Sequence, residues 1–465
     1  MTTADSSPTA DGPPPEGADR PTVMEYGITP VGTRFRWVIC GLLFFATTIN
    51  YVDRQILALL KPILDKELGW SKTQYGAVNS AFQASYGVSL FFFGWLVDRY
   101  GTKAGYAVSI AAWSVAAMGH ALVNSVGGFF GARIALGLGE GGNFPAAVKA
   151  TAQWFPKRER ALATALFNSG ANVGAVLAPA VVPAIAYSMG WHWAFIFAGV
   201  AGFAWLGLWI PLFDLPERSR RVSAAELAII QSDTGAADVA GPATTWGEVL
   251  RHREAWAFIV AKFMTDPVWW FFLIWLPDFF KTTRGLDIKN SWVHLVSIYS
   301  IITALSVFGG WLSGAFVDRG WGVTRARKTA MILFALCVVP IAIVTRVGDW
   351  TAVMLIGLAG AAHQAWSATI FTTVSDVFPK RTVAKIVGIG STAGSLGGIG
   401  FPLLTGMLLD KFANGYAIVF AICSGAYVVA FVVHHLLAPR LDPVVMRADG
   451  GRGFPVVTPD DAERR

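Results

Sequence analysis

Apolar runs of about 20 residues, long enough to cross a bilayer as a helix, recur through most of this 465-residue chain. Twelve can be counted, at 37–60, 74–97, 104–123, 127–152, 160–187, 192–213, 255–280, 291–317, 328–345, 350–375, 384–409 and 415–438. Several carry Gly and Pro, which membrane helices tolerate better than soluble ones. Only 14% of residues are charged, against about 25% in a soluble domain. The expected fold is an all-α membrane protein, twelve transmembrane helices bundled around a cavity.

The net charge of +7 is a topology signal rather than a nucleic-acid footprint. Arg99 and Lys103, then Lys157, Arg158 and Arg160, then Arg319, Arg325, Arg327 and Lys328, then Lys380, Arg381 and Lys385 fall in alternate short loops, while the opposite loops between spans three and four and between five and six hold no Lys or Arg, and those between nine and ten and between eleven and twelve only Arg346 and Lys411. By the positive-inside rule this places both termini in the cytoplasm of a plasma (bacterial inner) membrane. Residues 1–35 are Pro-rich and acidic with no apolar core, so they read as a disordered cytoplasmic tail and not a cleaved signal peptide. Residues 439–465 read as a second tail. The expected partners are a small organic anion and the lipid bilayer, and the expected state is a monomer. Cys40, Cys337 and Cys423 each lie in an apolar run with no metal spacing. No metal, cofactor or hydrolytic constellation is expected, and an enzyme is not the expected reading.

A polar segment, 214–254, divides the spans into six and six, residues 36–213 and 255–438. Within it Ser223-Ala-Ala-Glu226 has the capping-box pattern of a short amphipathic helix, expected at the cytoplasmic surface. The halves repeat. Trp154-Phe155-Pro156-Lys157-Arg158 is echoed 223 residues later by Val377-Phe378-Pro379-Lys380-Arg381, and the same offset carries Gly174 onto Gly397 and Pro179 onto Pro402. Gly94-Trp-Leu-Val-Asp98-Arg99 is echoed 220 residues later by Gly314-Ala-Phe-Val-Asp318-Arg319. Six spans per half give both halves the same orientation, and such parallel repeats bind substrate near the midplane between them.

Four ionisable residues interrupt the apolar runs of the first half: Asp53, Arg54, Arg133 and Glu140. At roughly 2.5–3.5 kcal/mol for a charge at mid-bilayer, together they cost about 10 kcal/mol before pairing, which leucines would not. Asn50 and Arg54 are four apart and share a helix face, as do Arg133 and Glu140, seven apart. This spacing allows Arg133 to meet Asp53 or Glu140. Gly137 and Gly139 between them allow a neighbouring helix to approach, so the glycines of 137–142 read as helix packing rather than a phosphate loop. Burial favours the neutral form of a carboxyl group unless a cation opposes it. A carboxylate beside an arginine is therefore a proton carrier whose affinity depends on who else holds that arginine.

Gly94-Trp-Leu-Val-Asp98-Arg99-Tyr-Gly101-Thr-Lys103 resembles the loop motif between helices two and three of the major facilitator superfamily, with its weaker copy at 314–319. The resemblance covers 36–438 and implies alternating access by rocking of the halves, with Asp98, Arg99, Lys103, Asp318 and Arg319 as a gate latch. Asn50-Tyr-x-Asp53-Arg54, with Arg133, Glu140 and Asn143-Phe-Pro145, resembles its anion:cation symporter branch. That likeness implies Arg54 as anchor for a substrate carboxylate, Asp53 and Glu140 as proton sites, and Arg133 as their switching partner. Asp266-Pro-Val-Trp269-Trp270, His363-Gln364-Ala-Trp366-Ser367 and Phe371-Thr372-Thr373-Val-Ser375-Asp376 are similar to the bacterial hexuronate carriers.

A hexuronate needs one cationic anchor plus neutral donors and acceptors. Asn79, Gln83 and Tyr86 share one face of the second span, and Asn168 and Asn172 one face of the fifth. The 223 offset maps Glu140 to His363 and Asn168 to Ser391, so the first half is expected to hold the charges and the second the neutral groups: Trp269, His363, Gln364 and Ser391. Asp266 and Asp376 are expected as gate contacts. The expected activity is proton-coupled import of a sugar acid, foremost a hexuronate such as glucuronate or galacturonate, with the proton as coupling ion. An aldonate, aldarate or aromatic acid is the alternative substrate, and a non-transporting anion sensor the remote one.

Overall fold

The computed structural model describes residues 34–232 and 246–444. Most of both expected tails and the linker stretch 233–245 lie outside the described residues, as do the side chains of Lys157, Arg158, Lys380 and Arg381. The chain is helical throughout. In the first half run α1 (Phe35–Leu68), α2 (Lys72–Tyr100), α3 (Thr102–Gly119), α4 (Val126–Glu140), α5 (Asn143–Trp154), α6 (Lys157–Met189) and α7 (Trp191–Leu212). The linker holds α8 (Ala224–Gln231) and α9 (Trp246–Leu250). The second half contains α10 (Arg253–Arg284), α11 (Ile288–Asp318), α12 (Val323–Val338), α13 (Asp349–Val377), α14 (Lys380–Lys411) and α15 (Gly415–Leu437). Turns of 3₁₀-helix extend α3 over His120–Leu122 and α12 over Val339–Arg346.

Eleven helices among the described residues are long and apolar enough to cross a membrane. The fourth expected span is present as two shorter pieces, α4 and α5, broken at Gly141 and Gly142. The break has a local cause. Ser89 on α2 donates to the Leu138 carbonyl, and Ser109 on α3 donates to the Gly139 carbonyl at 2.7 Å. These are the acceptors an unbroken helix would offer to Gly142 and Asn143, and side chains inserted into the i→i−4 ladder kink helices. A Cβ on Gly139 would collide with the Trp113 backbone, and one on Gly142 with Ser109. The glycines therefore permit the close approach that lets the serines reach.

Within the first half α1 packs on α6, α2 on α4, and α3 on α4 and α7; within the second, α11 packs on α13 and α10 on α14 and α15. The halves meet along two seams, α2 on α14 and α6 on α11, with α1 also packed on α10. The 220 and 223 offsets carry α2 onto α11 and α6 onto α14, so the two seams are one contact used twice.

At the end where α1 meets α2, the halves are tied by charge. Gly69 (φ 60°) ends α1 in the left-handed region and donates to the Asp65 carbonyl; two residues later Ser71 opens α2 with a reciprocal capping box to Gln74. That tight turn delivers the amides of Lys72 and Thr73 to Asp410, at 3.0 and 2.7 Å. Lys61 and Lys72 both pair with the fully buried Asp278, at 2.8 and 2.5 Å, which also accepts from the Tyr416 hydroxyl. At the linker end two ion pairs each stay within one half. Asp98 pairs with Lys149 at 2.7 Å, and Arg327 with Asp376 at 2.9 Å. Arg99, Asp318 and Arg319 are exposed there, and Lys103 is half-buried.

The linker helix α8 carries a contact that the sequence does not announce. Ser223 caps it by accepting from the Glu226 amide at 3.2 Å, but α8 does not simply lie at a surface. Fully buried Glu226 accepts from the amides of Phe35 and Arg36, at 3.1 and 3.0 Å. It thereby caps α1 across the chain and pins the linker to the first helix.

Candidate functional site

The buried charges of the first half gather where α1, α2 and α4 meet. Arg54 Nε donates to Glu140 Oε2 at 2.7 Å, with Glu140 fully buried. The break after Glu140 places this carboxylate at the end of α4, facing α1. The Arg54 guanidinium carbon lies over the Tyr86 ring at 4.4 Å, with Tyr51, Phe82 and Trp270 at 5.3, 5.5 and 5.8 Å. An aromatic surround of this kind stabilises a cation away from water. Nε is the Arg54 nitrogen that Glu140 occupies. Its two terminal nitrogens keep a planar edge suited to a carboxylate.

The expected meeting of Arg133 with Glu140 or Asp53 does not occur. Arg133 donates to the Arg54 carbonyl at 3.3 Å and lies over Phe82 at 5.3 Å, with no carboxylate in ion-pair range among the described residues. Seven residues at about 1.5 Å each put Arg133 and Glu140 about 10 Å apart along one helix, so Arg54 on the facing helix reaches Glu140 more directly. Both Asp53 oxygens, Arg133 Nε, Asn50 Nδ2, Gln83 Nε2 and Glu140 Oε1 have no hydrogen-bond partner among the described residues. Asn79 is occupied, donating to the Tyr75 carbonyl at 2.9 Å.

Beside this cluster, between the halves, lies a cavity of about 180 Å³. Tyr51 and Trp270, which flank Arg54, line it, with Asn168 and Asn172 of α6 on the first half's side. From the second half come Trp269, His363 and Gln364. Trp269 and His363 stack with 5.4 Å between ring centroids, and His363 Nδ1 is 2.5 Å from the Tyr427 hydroxyl. Ser391 is exposed and is not among the lining residues, so it is not brought to the cavity with the others.

The wall contributed by the second half is not neutral, as the internal repeat had suggested. Lys262 and Asp266, one turn apart on α10, both line the cavity and pair at 2.8 Å. Asp266 therefore sits at the cavity rather than at a gate; Asp376 is the one of the two held near the linker end, on Arg327. The signal for Lys262 was available: it is a charge inside an apolar run, like Arg54. The internal repeat drew attention to positions matching Glu140 and Asn168, and Lys262 matches neither.

The Major Facilitator Superfamily family model matches residues 43–402. The chain belongs to the major facilitator superfamily. In this superfamily of transporters it is similar to the hexuronate transporter of Escherichia coli (strain K12), 31% identical over 397 residues, covering 83% of this chain and 90% of that protein. It is similar also to the probable galactarate/D-glucarate transporter GarP of the same strain, 30% identical over 417 residues, covering 84% and 93%. In fold it matches the crystal structure of a D-xylose-proton symporter with a TM-score of 0.70 at 15% identity, covering 88% of this chain and 99% of that one. The superfamily's two-half architecture accounts for the paired seams and for a cavity lined from both sides.

Proposed function

We propose that this protein is a proton-coupled symporter that imports a sugar acid, with a hexuronate such as galacturonate as reference substrate. The observation that carries the reading is the Arg54–Glu140 pair at 2.7 Å beside the central cavity. A substrate carboxylate entering the cavity competes with Glu140 for Arg54. Once displaced, Glu140 is a buried carboxylate without its counter-ion, a costly state that proton binding relieves. Substrate and proton therefore load together. Asp53, buried with neither oxygen partnered among the described residues, is the second proton site, and Arg133 beside it biases both carboxyls. Asn168, Asn172 and Gln364 offer donors and acceptors to hydroxyls, while Trp269 offers a face to the sugar's C–H surface. The printed names of the two relatives above, a hexuronate transporter and a probable galactarate/D-glucarate transporter, support the substrate class.

With the basic loops in the cytoplasm, both termini are cytoplasmic in an inner membrane. The end tied by Lys61, Lys72 and Asp278 is then external. The test is an uptake screen in proteoliposomes of the full chain with glucuronate, galacturonate, gluconate, galactonate and glucarate, with and without a protonophore. The reading requires accumulation of at least one polyhydroxy acid that the protonophore abolishes. Uptake of none, or accumulation that survives the protonophore, would refute it.

A further inference from the structure

The Lys262–Asp266 pair repeats, on the opposite wall, the device formed by Arg54 and Glu140. Lys262 is 6% exposed and Asp266 is its only ion-pair partner among the described residues, at 2.8 Å. Its ammonium also lies over the Phe371 ring at 4.8 Å. A lysine ammonium has three donors, so one carboxylate leaves it able to hold another acceptor. The Asp266 carboxylate seats against Gly394 of α14, where any side chain would collide with Oδ2. Gly394 thus keeps a berth for this carboxylate, and the pair is built into the wall rather than left on a surface. A mid-membrane cation is costly, and a wall serving only hydroxyls would not need one.

We infer that Lys262 is a second anion anchor, held by Asp266 until a substrate brings a second acidic group, so that the cavity accepts a sugar diacid (an aldarate) as well as a uronate. The inference rests on the sugar-acid reading above and deepens it. A uronate carries one carboxylate for Arg54 and presents a neutral end to Lys262. An aldarate carries a carboxylate at each end and engages both cations. It then displaces both Glu140 and Asp266, and each freed carboxylate is neutralised by one proton, so an aldarate travels with one proton more than a uronate and the extra proton balances its extra carboxylate.

The experiment is competition by galactarate against labelled galacturonate uptake in proteoliposomes of the full chain. Wild-type protein is expected to be inhibited by galactarate at concentrations near the galacturonate KM. A hydrogen bond to a charged group contributes about 1.5–3 kcal/mol, so Lys262→Met should weaken galactarate inhibition about tenfold or more. The galacturonate KM should move less than about threefold, and Lys262→Arg should restore inhibition, as an anchor requires and a packing role does not. Asp266→Asn removes the resident competitor and should strengthen galactarate inhibition; it also serves if Lys262→Met fails to insert. Galactarate that does not inhibit wild-type uptake, or a Lys262→Met variant that weakens both sugars in proportion, would overturn the inference and leave the sugar-acid reading standing. Absence of galacturonate and galactarate transport alike would overturn both.

Discussion

Replacing Glu140 by glutamine separates binding from coupling, because the two side chains have one shape and differ in charge. Glu140 holds Arg54 by a charge-assisted bond of 2.7 Å in a fully buried site. Such bonds are roughly twice as strong as neutral ones, and a hydrogen bond to a charged group contributes about 1.5–3 kcal/mol. A glutamine carbonyl can still accept from Arg54 Nε, but the substrate then displaces a partner weaker by about 1 kcal/mol. Exchange of labelled for unlabelled galacturonate should therefore persist, with a KM lower by about fivefold. The voltage-driven part of coupling should fail. If Asp53 and Glu140 each load a proton against one carboxylate, the loaded carrier moves one net positive charge. A potential of about 100 mV then contributes about 2.3 kcal/mol, about 50-fold in accumulation. Glu140→Gln removes one proton from that cycle and with it the voltage-driven part. The assay is uptake into proteoliposomes under an imposed potassium-diffusion potential, set beside counterflow exchange in the same vesicles. Equal loss of accumulation and exchange would refute the proton-carrier role, and so would voltage-driven accumulation surviving the substitution.

Arg54→Lys should raise the galacturonate KM about tenfold or more, since a point charge cannot replace the planar fork whose terminal edge remains open; unchanged KM in the uptake assay would remove Arg54 as anchor. Asp278→Asn takes the shared counter-ion from the buried Lys61 and from Lys72, and breaking a buried pair costs about 3–5 kcal/mol. This should shift the protein toward opening at that end, seen as faster labelling of a cysteine introduced at Thr73; unchanged labelling would show that the cluster does not hold the seal. Gly76→Val should act on the same closure sterically, because a Cβ there would collide with the Pro402 carbonyl of the other half. Transport should fall while the same cysteine labels faster, and wild-type transport would show that the seam can give way.

The features legible in the sequence are those set by the solvent and by single helices. A chain with so many apolar runs and so few charges must bury its backbone polar groups in helices, and the 220 and 223 offsets announce two like-oriented halves. A charge inside an apolar run is expensive wherever it ends up, so Asp53, Arg54, Arg133 and Glu140 stood out before any fold was known. Helical periodicity likewise placed Tyr86 and Gln83 on one face. Partner choice was not legible, because periodicity orders residues along one helix and says nothing of the helix opposite. Arg133 and Glu140 share a face but lie about 10 Å apart, and only the approach of α1 decided that Arg54 takes the carboxylate. The broken fourth span depended on hydroxyls from two other helices, Ser89 and Ser109. Lys262 shows the same division. Its cost could be read from the sequence, whereas its place across the cavity from Arg54 came from the packing of α10 between the halves.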